Sequence, residues 1–214
     1  MERLICLVIG YVFGLIQTGY FYGKCQHMDI RKYGSGNAGT TNVLRTLGWK
    51  AGAITFLGDC FKCVFAVVLV HLIFGKTHGD ILPVLAMYTG MGAVLGHNYP
   101  FYMNFKGGKG IAVTAGLIVS TTNIWIVLIC AATFIGLVAV TRYVSVGSLT
   151  VVIVYLICVV VYGQMGGYHV SGGHLYEIYA IAVLLVISAF YKHKANIGRL
   201  MNGTENKLSV GKKS

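Results

Sequence analysis

Four short polar segments carry nearly all the side chains of this chain that could do chemistry. The first reads Arg31-Lys32-Tyr33-Gly34-Ser35-Gly36-Asn37-Ala38-Gly39-Thr40-Thr41-Asn42, with Arg45 three residues later. Glycine lets backbone N–H groups turn toward one point and approach an anion closely. Ser35, Asn37, Thr40, Thr41 and Asn42 add short polar groups, and Arg45 adds a planar guanidinium suited to phosphate. A plain turn between two spans needs far fewer donors, so the segment reads as a phosphate site shaped by Gly36 and Gly39. It is not a Walker loop, because GxxxxGK[ST] is absent.

The second segment pairs Gly96-His97-Asn98-Tyr99-Pro100 with Phe105-Lys106-Gly107-Gly108-Lys109-Gly110 just before an apolar helix. Helix-start amides with Lys106 and Lys109 make a second anion site. A lipid-headgroup anchor would need the lysines but not Gly107, Gly108 and Gly110. His97 alone reads as an interfacial hydrogen bonder. The third segment, Arg142-Tyr143-Val144-Ser145-Val146-Gly147-Ser148, repeats the theme weakly. In the fourth, His193 and Asn196 sit three apart on one helix face, followed by Arg199, Gly203, Thr204 and Glu205.

Carboxylates are scarce among these groups. No Ser-His-Asp arrangement, GxSxG elbow or HxxxxD motif is legible. Asp59 and Lys62 form an i,i+3 pair inside an apolar run and read as a structural ion pair. Cys60 and Cys63 form a lone CxxC, short of the roughly four ligands a zinc site needs, so no metal or cofactor is expected. His71, His78, His169, His174 and Glu177 read as interfacial or outer-face groups. The common element is a surface for holding phosphate, with chemistry on a phosphorylated, lipid-linked substrate following from it.

The elements that position these segments belong to a bilayer. Of 214 residues, 56% are hydrophobic and 11% charged, with mean hydropathy +0.73, against about 25% charged in a soluble globule. Apolar runs at 3–23, 51–74, 80–96, 149–165 and 175–191 approach the ~20 residues that cross ~30 Å of hydrocarbon. The first of them reads as a span and not a cleaved signal. The stretch 111–140 is too long for one crossing and short for two, with Thr121, Thr122 and Asn123 as the candidate turn. Loops 24–50, 97–110, 141–148 and 192–214 hold 14 of the 17 Lys and Arg. A helical hairpin over 111–140 places all four on one face, as positive-inside bias favours; read as a single span, it would divide the last two basic loops between the two faces. The expected fold is a single all-α polytopic domain of seven transmembrane helices, two of them short. Its N-terminus is outside, its C-terminus cytoplasmic, and 204–214 forms a flexible basic tail. The net charge of +11 then belongs to membrane loops and anionic substrates, and no nucleic-acid partner is expected.

These motifs, in their order and spacing from the first span to near the C-terminus, resemble the bacterial acyl-phosphate:glycerol-3-phosphate acyltransferases, the PlsY family. The residues that carry the resemblance are Gly34-Ser35-Gly36-Asn37 with Thr41, Asn42 and Arg45; Gly96-His97 with Pro100 and Phe105 to Gly110; Arg142-Tyr143 with Ser145; and His193, Asn196, Arg199, Leu200 and Gly203-Thr204-Glu205. The resemblance implies acyl transfer from acyl phosphate to the 1-hydroxyl of sn-glycerol 3-phosphate, giving lysophosphatidic acid and inorganic phosphate without metal. It also implies a multi-pass protein of the bacterial cell membrane, with its site at the cytoplasmic face and a functional link to an acyl-phosphate-producing enzyme.

By the same resemblance, Ser35, Asn37 and Arg45 bind and polarise phosphate, and Lys106 and Lys109 hold a second phosphate or offset transition-state charge. His193 and Asn196 orient the acceptor, with His193 or a substrate phosphate as base. Gly36, Gly39, Thr41, Asn42, His97, Gly107, Gly108, Arg142, Ser145, Arg199 and Glu205 complete the expected binding set. Cys63 stands where the family pattern has glycine after Asp-x-x-Lys. The competing reading is a transporter or channel for an anionic metabolite, although such proteins place binding groups near the midplane and often show repeated halves.

Overall fold

The computed structural model describes residues 1–208; positions 209–214 of the expected tail lie outside them. Among the described residues there are ten α-helices and no strand. They are α1 (Glu2–Gly14), α2 (Thr18–Cys25), α3 (Thr40–Leu47), α4 (Trp49–Phe74), α5 (Leu82–Asn98), α6 (Ile111–Thr121), α7 (Ile124–Thr141), α8 (Val144–Gln164), α9 (Gly172–Lys192) and α10 (Lys194–Met201). Six stretches are long and apolar enough to cross a membrane, and α6 is a shorter apolar helix. The stretch 111–140 divides at Thr122, with Asn123 capping α7 by accepting from Ile126 N–H at 3.1 Å. Large side chains such as Leu72, Trp125 and Ile135 are exposed along the spans, as lipid-facing residues must be.

Small residues set the packing. Gly10 and Gly14 of α1 lie against Thr89, Ala93 and Gly96 of α5, and a Cβ at Gly92 would overlap the Leu7 carbonyl. Without a hydrophobic drive between helices in lipid, this close backbone approach supplies the van der Waals contact that holds them. Gly116 of α6 packs against the backbone at Cys60 of α4 in the same way, and Cys63 fits beside it, fully buried.

The first apolar run is not one continuous helix. It breaks between Gly14 and Thr18, and each carbonyl freed there finds a donor, as a nonaqueous setting requires. Gln17 Nε2 reaches Gly14 O, Lys62 Nζ reaches Gly14 O and Ile16 O, and Tyr102 OH reaches Leu15 O. Lys62 also meets Asp59 at 2.9 Å with both side chains buried, so the expected ion pair ties α4 to the break. At the opposite end of the bundle, Arg3 grips Glu177 at 2.6 and 2.7 Å, and His174 and Tyr88 share that carboxylate.

Candidate active site

The four polar segments converge on one cavity of about 120 Å³. Both helices of the α6–α7 pair reach it: Ile111 and Ala112 line it from the start of α6, and Phe134 from the second half of α7. Thirteen of the eighteen expected site residues line it, namely Ser35, Asn37, Gly39, Thr41, Asn42, Arg45, His97, Lys109, Ser145, His193, Asn196, Arg199 and Glu205. Gly36, Lys106, Gly107, Gly108 and Arg142 do not.

Asn42 builds the first loop. Its Oδ1 accepts from Ser35 N–H at 2.8 Å, and its Nδ2 donates to Ile30 O and Tyr33 O at 3.1 and 3.0 Å. The side chain, read from sequence as a phosphate donor, is therefore committed to folding the loop. Gly34 sits beside it at φ +57°, where a Cβ would strike Asn42 Oδ1. Asn37 closes the next turn by accepting from Gly39 N–H at 2.8 Å, which delivers the chain into α3. There Thr40 Oγ1 and Arg45 Nε are buried without a hydrogen-bond partner among the described residues. Both residues line the cavity, and buried polar groups are seldom left unpaired, so two donors wait on a ligand.

The second loop folds differently from a phosphate cradle. Gly107 and Gly108 donate their N–H groups to Asn98 O and His97 O at 3.2 and 3.0 Å. Their lack of a Cβ lets the loop lie flat on the His97 backbone and imidazole. Lys106 is exposed outside the cavity, so of the two expected lysines only Lys109 lines it. Gly110, at φ +83°, turns the chain into α6.

Around Glu205 the C-terminal segment closes the site. This carboxylate accepts from Asn196 Nδ2 at 2.7 Å, Arg199 Nε at 2.7 Å and Ser145 Oγ at 3.2 Å. Asn196 Oδ1 in turn accepts from Lys109 Nζ. Arg45 Nη2 donates to Asn206 O at 2.9 Å, and Leu208 N–H to Arg142 O at 2.7 Å. Residues 204–208 of the expected tail thus lie along the site. Arg142 itself is turned out, its guanidinium near Leu208 O at 3.4 Å. His193 Nδ1 bonds Ala189 O at 2.7 Å, which requires the proton on Nδ1 and leaves Nε2 as an acceptor.

The family model described as glycerol-3-phosphate acyltransferase matches residues 4–203. The glycerol-3-phosphate acyltransferase of Clostridioides difficile (strain 630) is 41% identical over 98% of this chain and 97% of its own length. That of Halalkalibacterium halodurans is 39% identical over all of both chains. This chain belongs to the glycerol-3-phosphate acyltransferase family. The crystal structure of PlsY, an integral membrane glycerol 3-phosphate acyltransferase, in its glycerol 3-phosphate form has a TM-score of 0.82 at 31% identity, covering 98% of this chain and 96% of that one. Its lysophosphatidic acid form gives 0.80 at 30%. The resemblance carried by the motifs is thus membership, with phospholipid biosynthesis and an integral membrane setting following from the family.

In this acyltransferase-family member the cavity is electropositive. The starts of α3, α6, α8 and α10 supply Thr40, Ile111, Val144 and Asn196 to its lining, and each helix start carries about half a positive charge. Burial and the nearby Arg199 charge lower Lys109 to about 8. Burial, with the Lys109 charge behind it, lowers His193 to about 4, so its ring is neutral. Burial opposes ionisation of Glu205, yet its bonds from Asn196 and Arg199 prevail and lower its pKa. The lining also includes Ser148, Asp59 and Phe134, which are outside the expected binding set. Ser148 follows Ser145 by three and was findable once 144–148 is seen as the first turn of α8 and not a loop; Phe134 carried no such signal.

Proposed function

We propose that this chain transfers a fatty acyl group from acyl phosphate to the 1-hydroxyl of sn-glycerol 3-phosphate, giving 1-acyl-sn-glycerol 3-phosphate and inorganic phosphate. The observation that carries this reading is the pairing state of the cavity's cations. Arg45 and Lys109 line it without a carboxylate within salt-bridge reach among the described residues, beside the unpartnered Thr40 Oγ1 and Arg45 Nε. Such a site is complementary to phosphate.

Acyl phosphate is a mixed anhydride with phosphate as leaving group, so direct attack by the glycerol hydroxyl needs no enzyme nucleophile, metal or cofactor. The hydroxyl oxygen bonds to the acyl carbon, the acyl carbon–oxygen bond to phosphate breaks, and that electron pair leaves with phosphate. The hydroxyl proton passes to a phosphate oxygen. With a pKa of about 4, His193 is a weaker base than phosphate, whose second pKa is about 6. In this reading His193 Nε2 orients the hydroxyl, and Asn196 holds Lys109 in place. Ser35, Asn37, Thr41 and Arg45 bind one phosphate, while Lys109 and the start of α6 offset the charge that develops on the other.

Seven crossings fit this arrangement, with α1 and α2 together as the first and α6 and α7 as a hairpin leaving and rejoining the cavity end. Positive-inside bias then favours an N-terminus outside and the site at the cytoplasmic face of a bacterial cell membrane. There an acyl-phosphate-producing enzyme would supply the donor. The test is purified protein in nanodiscs with sn-glycerol 3-phosphate and either palmitoyl phosphate or palmitoyl-CoA, following phosphate and lysophosphatidic acid together. Stoichiometric products from palmitoyl phosphate alone are expected. Product from palmitoyl-CoA only would overturn the donor, and no product from either would overturn the reaction.

A further inference from the structure

Beneath the cavity, Lys62 Nζ meets four groups: Gly14 O, Ile16 O, Asp59 Oδ1 at 2.9 Å and His97 Nδ1 at 2.9 Å. The two carbonyls and the carboxylate are acceptors, and the Asp59 charge beside it suits an ammonium ion. An ammonium has no lone pair, so it cannot accept from an Nδ1–H. Its three N–H donors match the three short contacts, Ile16 O, Asp59 Oδ1 and His97 Nδ1, while the longer Gly14 O at 3.3 Å is also held by Gln17 Nε2, so His97 Nδ1 is the acceptor and the ring proton sits on Nε2. Gln17 Nε2 pins the His97 carbonyl at 3.0 Å, and His97, 3% exposed, lines the cavity together with Asp59. The backbone at Gly108 packs against this ring, and a Cβ there would overlap Nε2, so glycine at 108 lets the imidazole keep its place.

We propose that Lys62 and Asp59 are positioning residues that lock His97 as the Nε2–H tautomer, making it a neutral hydrogen-bond donor into the cavity. His193 carries the opposite tautomer, with Nδ1–H on Ala189 O and a free lone pair on Nε2. One cavity thus holds two neutral imidazoles of opposite polarity: His193 accepts from the hydroxyl that attacks, and His97 donates to the oxygen on which charge develops. A neutral imidazole can fill that electrophilic role. The identity of that oxygen rests on the acyl-transfer reading; the tautomer lock does not.

The test uses the full chain in nanodiscs with ¹⁵N-labelled histidine. Nitrogen shifts report protonated and unprotonated ring nitrogens separately, and His97→Gln and His193→Gln assign the two signals. In the wild type His97 should show protonated Nε2 and bare Nδ1, with His193 the reverse. The charge-neutral Asp59→Asn/Lys62→Met double variant should lose the fixed His97 tautomer and lower kcat at least about tenfold. His97→Leu should lower kcat roughly a hundredfold, the scale of losing one oxyanion donor, with His97→Gln recovering part of it. A wild-type His97 protonated on Nδ1 overturns the proposal, and so does a folded double variant with wild-type kcat, or equal losses in the Gln and Leu variants. If the double variant fails to fold, the wild-type spectrum alone decides the lock. Failure of the wild type to make product from any acyl donor overturns the reaction, while the spectrum still reads the lock.

Discussion

The Lys109 ammonium donates to Asn196 Oδ1, joining the turn before α6 to the first turn of α10 through an amide and not a carboxylate. The distinction matters, because a carboxylate would neutralise the lysine, whereas the amide orients it and leaves its charge for a ligand. Asn196 Nδ2 then donates to Glu205 at 2.7 Å, so the amide stands between a cation and an anion and fixes its own orientation. Replacing Lys109 or Arg45 by alanine should lower turnover at least about tenfold, equivalent to about 1.4 kcal/mol in the barrier. Asn196→Asp should be worse than Asn196→Ala, since it pairs Lys109 and sets a second carboxylate against Glu205. Steady-state rates on monodisperse protein decide it; near-wild-type turnover in Asn196→Asp would remove Lys109 from the phosphate site.

The lowered pKa of Lys109, about 8, predicts a pH dependence. The cation binds phosphate only when protonated, so kcat/KM should be sustained below that value and fall as pH rises through it. Because kcat/KM reports the free enzyme, the limb should appear there even though bound phosphate would raise the lysine's pKa. Lys109→Arg, whose guanidinium stays charged above pH 12, should abolish the limb whatever it does to the rate. A limb that persists unchanged in Lys109→Arg belongs to another group.

Asn42 should behave as part of the loop and not as a ligand. Asn42 is buried and makes three hydrogen bonds, to Ser35, Ile30 and Tyr33, and removing a buried partner costs about 1–3 kcal/mol. Asn42→Asp keeps the acceptor for Ser35 N–H but turns a carboxylate oxygen toward two carbonyls. It should therefore lower the melting temperature at least as much as Asn42→Ala. A variant with normal stability and only a raised KM for glycerol 3-phosphate would restore Asn42 as a direct phosphate ligand.

The contrast between Asn42 and Arg45 shows how far residue types carry. Both belong to a donor-dense, glycine-rich segment, and the convergence of such segments followed from charge and spacing. What spacing could not show is which donors are consumed internally. Asn42 faces two carbonyls of its own loop, and Gly107 and Gly108 spend their amides on the end of α5, whereas Thr40 Oγ1 and Arg45 Nε keep theirs. Hydropathy located the apolar spans but missed α3 and α10, which are eight residues each and polar. It also missed the α1–α2 break, because Leu15 and Ile16 are as apolar as a helix interior. Only the distant donors Lys62, Gln17 and Tyr102 make that break tolerable in lipid.

Close packing of α1 on α5 sets the platform that carries His97. Gly92→Ala places a Cβ onto the Leu7 carbonyl, and overpacking of this kind typically costs about 1–3 kcal/mol. The variant should melt earlier in detergent, with rates falling because α5 shifts. A Gly92→Ala protein of unchanged thermal stability would show that the two helices can part freely.

The sharpest test of the C-terminal segment is a pair of truncations. The side-chain clamp on the cavity comes from Glu205, which holds Ser145, Asn196 and Arg199, and from Asn206, whose carbonyl takes Arg45, while Leu208 pairs with Arg142 just outside it. A chain ending at Gly203 loses them all. Asn196 is then free to rotate, Lys109 loses its fixed acceptor and Arg199 its anion, so turnover should fall at least about tenfold. A chain ending at Leu208 keeps them and should stay near the full-length rate. Glu205→Gln falls between: Gln can still accept from Asn196 but leaves Arg199 uncompensated. Because the pKa of Glu205 is lowered below 4.5, its contribution to stability is present at neutral pH and is lost as pH falls through that lowered value. Acid should therefore destabilise the full-length chain more than Glu205→Gln, and equal acid sensitivity in the two would show that Glu205 does not clamp the site.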